Sequence, residues 1–297
     1  MAGGQERILR QRIKSVQSTR KITKAMELIA ASQIARSQAR IRVNRPYRLG
    51  MRRIIIEAAQ GDPHAAAKLL GTPESVECTA VLIVVGDRGL SGAYNSSVLR
   101  ATERLLVDLK SRGSAVKLYA VGKKSIAYFR FRGVEVERHF SGFSDRPEFS
   151  DARNVAEVIA REFINGDVQQ VLMVSTLFKS AASQAVDTRQ LLPLIVDEKE
   201  TSSVEPTLKG YTEFEPEVAQ LLVELAPKAL ESEIFTALLE GAASFHTSQQ
   251  RAMAAATENA DEFVTTLKRV MNRARQDAIT TEIMEIVGGA EALRSGK

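Results

Sequence analysis

Both ends of this 297-residue chain read as helices too long to lie inside a compact domain. From Gln5 to Arg45 there is neither Pro nor Gly, and Ala, Arg, Lys, Gln, Leu and Met dominate, most of them strong helix formers. Leu9, Ile13 and Val16 step by four and three, and Ile22, Met26 and Ile29 repeat the step after a gap that breaks strict heptad phase. Roughly 40 residues at about 1.5 Å each give a rod of about 60 Å. Pro46 marks a kink or stop, with the pattern resuming to about Ala59. The other end mirrors this. Pro216 sits where a first helical residue belongs, and from there to Val287 only Pro227 and Gly241 interrupt. Phe263, Leu267, Val270 and Ala274 step by four, three and four. Each helix alone would expose an apolar stripe, so the economical arrangement is an antiparallel coiled coil of the two. The C-terminal helix is the longer, and its surplus carries Ile279, Ile283, Met284, Ile286 and Val287. A bare apolar tip of that kind implies a partner that surrounds it.

Between the ends lies alternating material. CTAVLIVV (78–85), AVKLYAVG (115–122) and QVLMVSTLF (170–178) read as buried strands, with helices over 95–112 and 150–165. That order predicts a mainly parallel sheet, with edge strands over 184–196 and a polar loop over 197–210. The fold class is therefore α/β with a long helical appendage. It comprises an N-terminal coiled-coil helix (1–59), a central Rossmann-like α/β domain (76–214) and a C-terminal coiled-coil helix (215–297).

Composition excludes several classes. No run of eighteen apolar residues exists, so no segment is expected to span a membrane. The single cysteine, Cys78, excludes an internal disulfide and fits a reducing compartment. The N-terminus has no apolar stretch of the secretory kind. His64, His139 and His246 lie far apart without metal-ligand spacing, so no metal site is expected. Charge is distributed unevenly: residues 1–53 carry 14 Lys and Arg against Glu6 and Glu27 alone. A basic arm suits nucleic acid, an anionic surface, a transit peptide or an acidic protein partner. No aromatic residue precedes Tyr47, so the arm lacks a base-stacking platform.

The stretch VLIVVGDRGLSGAYN (81–95) has the outline of a phosphate cradle. Yet Gly86, Gly89 and Gly92 fit neither dinucleotide nor P-loop spacing, and no Lys follows to reach a phosphate. The reading is a tight strand-to-helix turn needing positive φ. Asp87 and Arg88 then serve as polar turn groups or as contacts to neighbouring subunits. Two rival readings stay open on the residues alone: a nucleic-acid-binding α/β protein with a basic helical arm, and a nucleotide-dependent enzyme using the 86–92 turn.

Four segments together carry a family resemblance: RQRIKSVQSTRKITKAMELIAASQIARSQ (10–38), GDRGLSGAYN (86–95), RAMAAATENA (251–260) and RARQDAITTEIMEIVGGAEA (273–292). In this order the chain resembles the gamma subunits of F-type ATP synthases. The resemblance implies a central rotating stalk with no catalytic residues of its own, a non-catalytic part of a proton-transporting two-sector ATPase. It implies a coil inside a hexamer of alpha and beta subunits, and an α/β domain on the membrane ring of c subunits beside the epsilon subunit. It implies no bound cofactor and no nucleic acid, the nucleotides sitting between alpha and beta. Hexamer contacts implied by the resemblance are Lys21, Ile22, Lys24, Met26, Arg275, Gln276, Thr280, Glu282, Ile283 and Ile286. Paired cysteines of the thiol-regulated chloroplast form are lacking, and the resemblance begins by about residue 8, leaving no room for a mitochondrial presequence. The expected location is peripheral, on the cytoplasmic side of a bacterial cell membrane.

Overall fold

The computed structural model describes residues 2–61, 75–194 and 214–295. Its elements are α1 (Ala2–Gly61), β1 (Cys78–Val84), α2 (Tyr94–Ser111), β2 (Ala115–Val121), α3 (Lys123–Phe131), β3 (Arg138–Phe140), α4 (Phe149–Ile164), β4 (Gln170–Phe178), β5 (Gln184–Leu192) and α5 (Val218–Ser295). They fall into two compact units: Met1–Ala30 with Gln250–Lys297, and Ala31–Gln249. The long helices α1 and α5 each contribute to both.

In the first unit α1 and α5 run antiparallel. Ile13 packs with Val264 and Leu267, flanked by Leu9, Val16 and Met271. Further along α1, Arg20 pairs with Asp261 at 3.2 Å, and the Thr23 and Thr257 hydroxyls meet at 2.8 Å. Each step forward on α1 is a step back on α5. Arg12 lies over the Phe263 ring at 5.6 Å, its stem covering apolar surface while the guanidinium stays wet. Past Ala278 the described side chains of α5 are exposed.

The second unit holds a five-stranded sheet in the order β3-β2-β1-β4-β5. β1 pairs in parallel with β2 and β4, β2 in parallel with β3, and β5 closes one edge antiparallel to β4. The strand β1 is apolar on both faces because both are covered. Leu82 and Val84 face α4 (Val155, Ile159) and α5 (Leu230, Ile234, Leu238). Val81 and Ile83 face α2 (Val98, Leu106) and α3 (Phe129). Here too α1 and α5 are antiparallel. Asn44 donates to the Thr236 hydroxyl at 2.9 Å, and Arg48 reaches Glu233 at 3.0 Å. Met51, Ile55 and Ala58 pack with Leu222 and Ala229.

Three readings of the chain are corrected by the structure. Pro46 does not stop α1, which runs on to Gly61. Helix α5 begins at Val218 rather than Pro216, and it continues through Pro227. An internal proline forfeits one backbone hydrogen bond, at a cost of about 3 kcal/mol. Burial of Leu222, Ala226, Ala229 and Leu230 around Pro227 offsets it. The short α3 and β3 are unforeseen elements between the second and third predicted strands. The expected edge strand is present over Gln184–Leu192 but stops there, Pro193 and Leu194 lying outside it; residues 195–196 and the 197–210 loop lie outside the described residues.

The hydroxyl pair sets a test of the coil register. Thr23→Cys with Thr257→Cys is expected to form a disulfide on mild oxidation, visible as faster migration on a non-reducing gel. Lys21→Cys with Thr257→Cys, which points one cysteine to solvent, is expected to stay reduced.

Candidate partner-binding surface

The glycine turn after β1 closes upon itself. The Asp87 carboxylate accepts hydrogen bonds from the backbone N–H groups of Lys123 at 3.0 Å, Gly142 at 2.9 Å and Ser144 at 3.2 Å. Its own N–H donates to the Ser144 hydroxyl at 2.8 Å. Asn95 staples the other side, accepting from the Gly86 N–H at 2.9 Å and donating to the Arg88 carbonyl at 3.0 Å. Lys123 opens α3, so Asp87 stands at a helix N-terminus, where negative charge is favoured. Burial would raise its carboxyl pKa above the ordinary 3.8, but the convergent hydrogen bonds outweigh burial and hold it lower.

Helix α5 covers the same end of the sheet. Strand order reverses around β1, between β2 and β4, the switch point at which open α/β sheets take ligands. A Cβ placed on Gly86 would meet the Phe245 ring at 3.2 Å; one on Gly241 would meet Tyr94 Oη at 3.1 Å and Val84 Cγ1 at 3.7 Å. The Tyr94 and Phe245 rings stack edge-to-face at 5.7 Å. Protein atoms of α5 therefore line the ends of the strands.

Positive φ falls elsewhere than the glycine spacing suggests. Of Gly86, Gly89 and Gly92 only Gly92 has it, at 54°, while Leu90 takes 62°. The demanding glycine is Gly122, at φ 95°, where a Cβ would lie 2.3 Å from the Val85 carbonyl oxygen. A lone glycine after a strand reads as a turn signal but does not reveal such an approach of two strand ends. Arg88 is exposed and pairs with Asp145 at 3.2 Å.

The residues singled out on the coil do not form one cluster. Lys21, Ile22 and Lys24 are exposed, Lys24 reaching Glu27 at 3.0 Å, and Met26 is half-buried. Arg275, Gln276, Thr280, Glu282, Ile283 and Ile286 are all exposed. Since Thr23 faces Thr257, the second group lies about 27 Å further along α5 from the first. Its apolar members are bare: Ile283 is 54% exposed and Ile286 72%. Missed from sequence were Arg20–Asp261, Thr23–Thr257 and Arg12 over Phe263. Nothing in apolar periodicity marks a threonine as an interface residue. Among the described residues no group of His, Cys, Asp or Glu is placed to hold a metal ion.

An α/β unit whose strand ends are covered by its own helix, with paired chain ends and an exposed apolar helix terminus, defines a structural subunit of an assembly. The family model described as ATP synthase matches residues 5–293. The ATP synthase gamma chain of Parafrankia sp. is 44% identical, covering 99% of both chains, and that of Clavibacter sepedonicus is 42% identical over 99% of this chain and all of its own. The chain belongs to the ATP synthase gamma-chain family. Solved structures share the fold. One is the Euglena gracilis mitochondrial ATP synthase, at TM-score 0.66 and 17% identity, covering 99% of this chain and 96% of that one. Another is the central stalk of the Tetrahymena thermophila enzyme, at 0.62 and 24%, covering 79% and 99%. The nucleic-acid reading finds no support: a full-length family match accounts for the basic arm, and Arg20, Arg48 and Arg52 engage Asp261 and Glu233.

The turn generates two expectations. Asp87→Ala is expected to destabilise the chain by about 1–2 kcal/mol, because it removes a charged acceptor shared by three N–H groups, of which only that of Ser144 is half-buried. A carboxyl held below 3.8 stabilises the fold above that pH, and the contribution is lost as pH falls through the lowered value. The variant is therefore expected to lose the part of the acid dependence that Asp87 contributes, seen as a smaller drop in stability below about pH 4 than wild type in chemical denaturation followed against pH. Gly122→Ala is expected to cost about 2–4 kcal/mol. Gly89→Ala, whose Cβ would meet only Lys124 at 3.6 Å, is expected to leave the melting temperature unchanged.

Proposed function

We propose that this chain is the central rotating stalk of a bacterial F-type ATP synthase, coupling ion flow through a membrane rotor ring to ATP synthesis and hydrolysis at alpha and beta subunits. The observation that carries the reading is the exposed apolar end of α5, with Ile279, Ile283, Met284, Ile286 and Val287 all open, on a chain of this family. Such a surface fits a low-friction sleeve, where apolar contacts slide and fixed ion pairs would stick. A rod presenting different faces to successive subunits changes their nucleotide affinity only through contacts that differ between positions. The α/β unit then meets the c-subunit ring and the epsilon subunit. No described helix is long and apolar enough to cross a membrane, so the membrane association proposed is peripheral, on the cytoplasmic face. Chemistry stays with the partners, and the chain binds no nucleotide of its own, a reading supported by the Phe245 and Tyr94 rings that crowd Gly86 and Gly241 at the strand ends.

Contacts to acidic loops of the hexamer are assigned to Lys21, Lys24, Arg275 and Gln276, with Ile22, Met26, Thr280, Glu282, Ile283 and Ile286 completing the rotor surface. Co-expression with alpha and beta subunits is expected to yield a stoichiometric complex, and isolation of the chain alone under those conditions would sink the assignment. In that complex, Arg275→Ala with Gln276→Ala is expected to lower ATP hydrolysis and ATP-driven proton pumping by about tenfold. That is the effect of losing one charge-assisted contact of about 1.5 kcal/mol. Circular dichroism of the isolated variant is expected to match wild type; unchanged rates would remove both residues from the surface.

A further inference from the structure

A groove of about 540 Å³ opens in the second unit where α1, α5 and the β4–β5 turn meet. Its lining divides by chemistry. Ile41, Leu49 and Phe178 are half-buried and Leu239 is buried, whereas Arg42, Arg45 and Lys179 are exposed. Nearby cations on α1 are occupied: Arg40 holds the Pro147 carbonyl, Arg48 holds Glu233 and Arg53 holds Glu57. Arg42, Arg45 and Lys179 face no carboxylate within ion-pair reach among the described residues. Glu240, the one acid in the lining, is turned to Arg189 at 3.5 Å, and burial pushes its carboxyl pKa up, which weakens it as a counter-charge. Three unneutralised cations around an apolar floor repel one another until an anion joins them.

The shape selects among anions. The lining follows α1 from Gln38 to Leu49, about 16 Å, the span of about five extended residues. A phosphate would gain nothing from the apolar floor. Nor does the turn offer it a free amide cradle, because the Ala182 and Ser183 N–H groups donate to Ser180 Oγ at 3.2 and 3.1 Å. We propose that this groove docks an acidic peptide segment of another subunit, with Asp or Glu on the cationic rim and apolar side chains on the floor. The proposal rests on the stalk reading for the origin of the segment, not for the chemistry of the groove.

Two arms test it. The full chain alone is titrated by fluorescence anisotropy with a labelled twelve-residue peptide of alternating Glu and Leu. Binding is expected, at least tenfold weaker for Arg42→Glu with Arg45→Glu and Lys179→Glu, and changed less than twofold by Arg36→Glu outside the groove. No binding, equal weakening by Arg36→Glu, or displacement by inorganic tripolyphosphate as effective as by unlabelled peptide overturns the proposal. In the co-expressed complex, benzoylphenylalanine at position 38 is expected to crosslink to an Asp- and Glu-rich segment of a neighbouring subunit. A crosslink within this chain, to lipid, or to no protein overturns it. Failure to form a complex counts against the stalk reading alone, and the peptide titration then decides the groove.

Discussion

The structure depends on burying one helix stripe against another. Neither α1 nor α5 could persist in water as an isolated rod with its apolar positions open, and each solves the problem for the other. The pairing is not uniform. Ile13, Val264 and Leu267 form a dry cluster, whereas Arg20–Asp261 and Thr23–Thr257 hold by polar contacts. Exposed ion pairs contribute little, typically below about 1 kcal/mol. The hydroxyl pair stabilises only modestly, because each hydroxyl also bonds a carbonyl of its own helix, Thr23 to Arg20 at 3.0 Å and Thr257 to Met253 at 2.8 Å.

The sheet was legible because its strands are covered on both faces and so read as unbroken apolar runs. CTAVLIVV announces itself, and the alternation with helices fixes the parallel order. What stayed hidden was short or three-dimensional. KKSIAYFRF folds as nine helical residues, too few to establish a period. The three residues of β3 gain their identity from pairing with β2, not from their own pattern. Prolines misled because local preference yields to packing when the flanks are buried, as around Pro227. The glycines misled for a related reason: spacing drew attention to Gly89, while the close approach of Val85 lies at Gly122.

For the partner-binding surface the sequence spoke in one register only. An apolar terminus such as Ile283–Ile286 is visible as composition, and its exposure follows from the unequal lengths of the two helices. Which cations are free is invisible without coordinates. Arg42, Arg45, Arg48 and Arg52 look alike in the chain, but two of them reach Glu233 and two do not. Sorting spent charges from unspent ones is the step that only packing can supply.

The carboxylate of Asp87 carries a broader consequence. A turn that borrowed a free anion would tighten and loosen as the ion came and went. Here the acceptor is part of the chain, so the Lys123, Gly142 and Ser144 N–H groups keep one partner at fixed stoichiometry. The end of β1, the start of α3 and the segment after β3 are thereby tied at one point, and the tie loosens only when the carboxyl takes a proton.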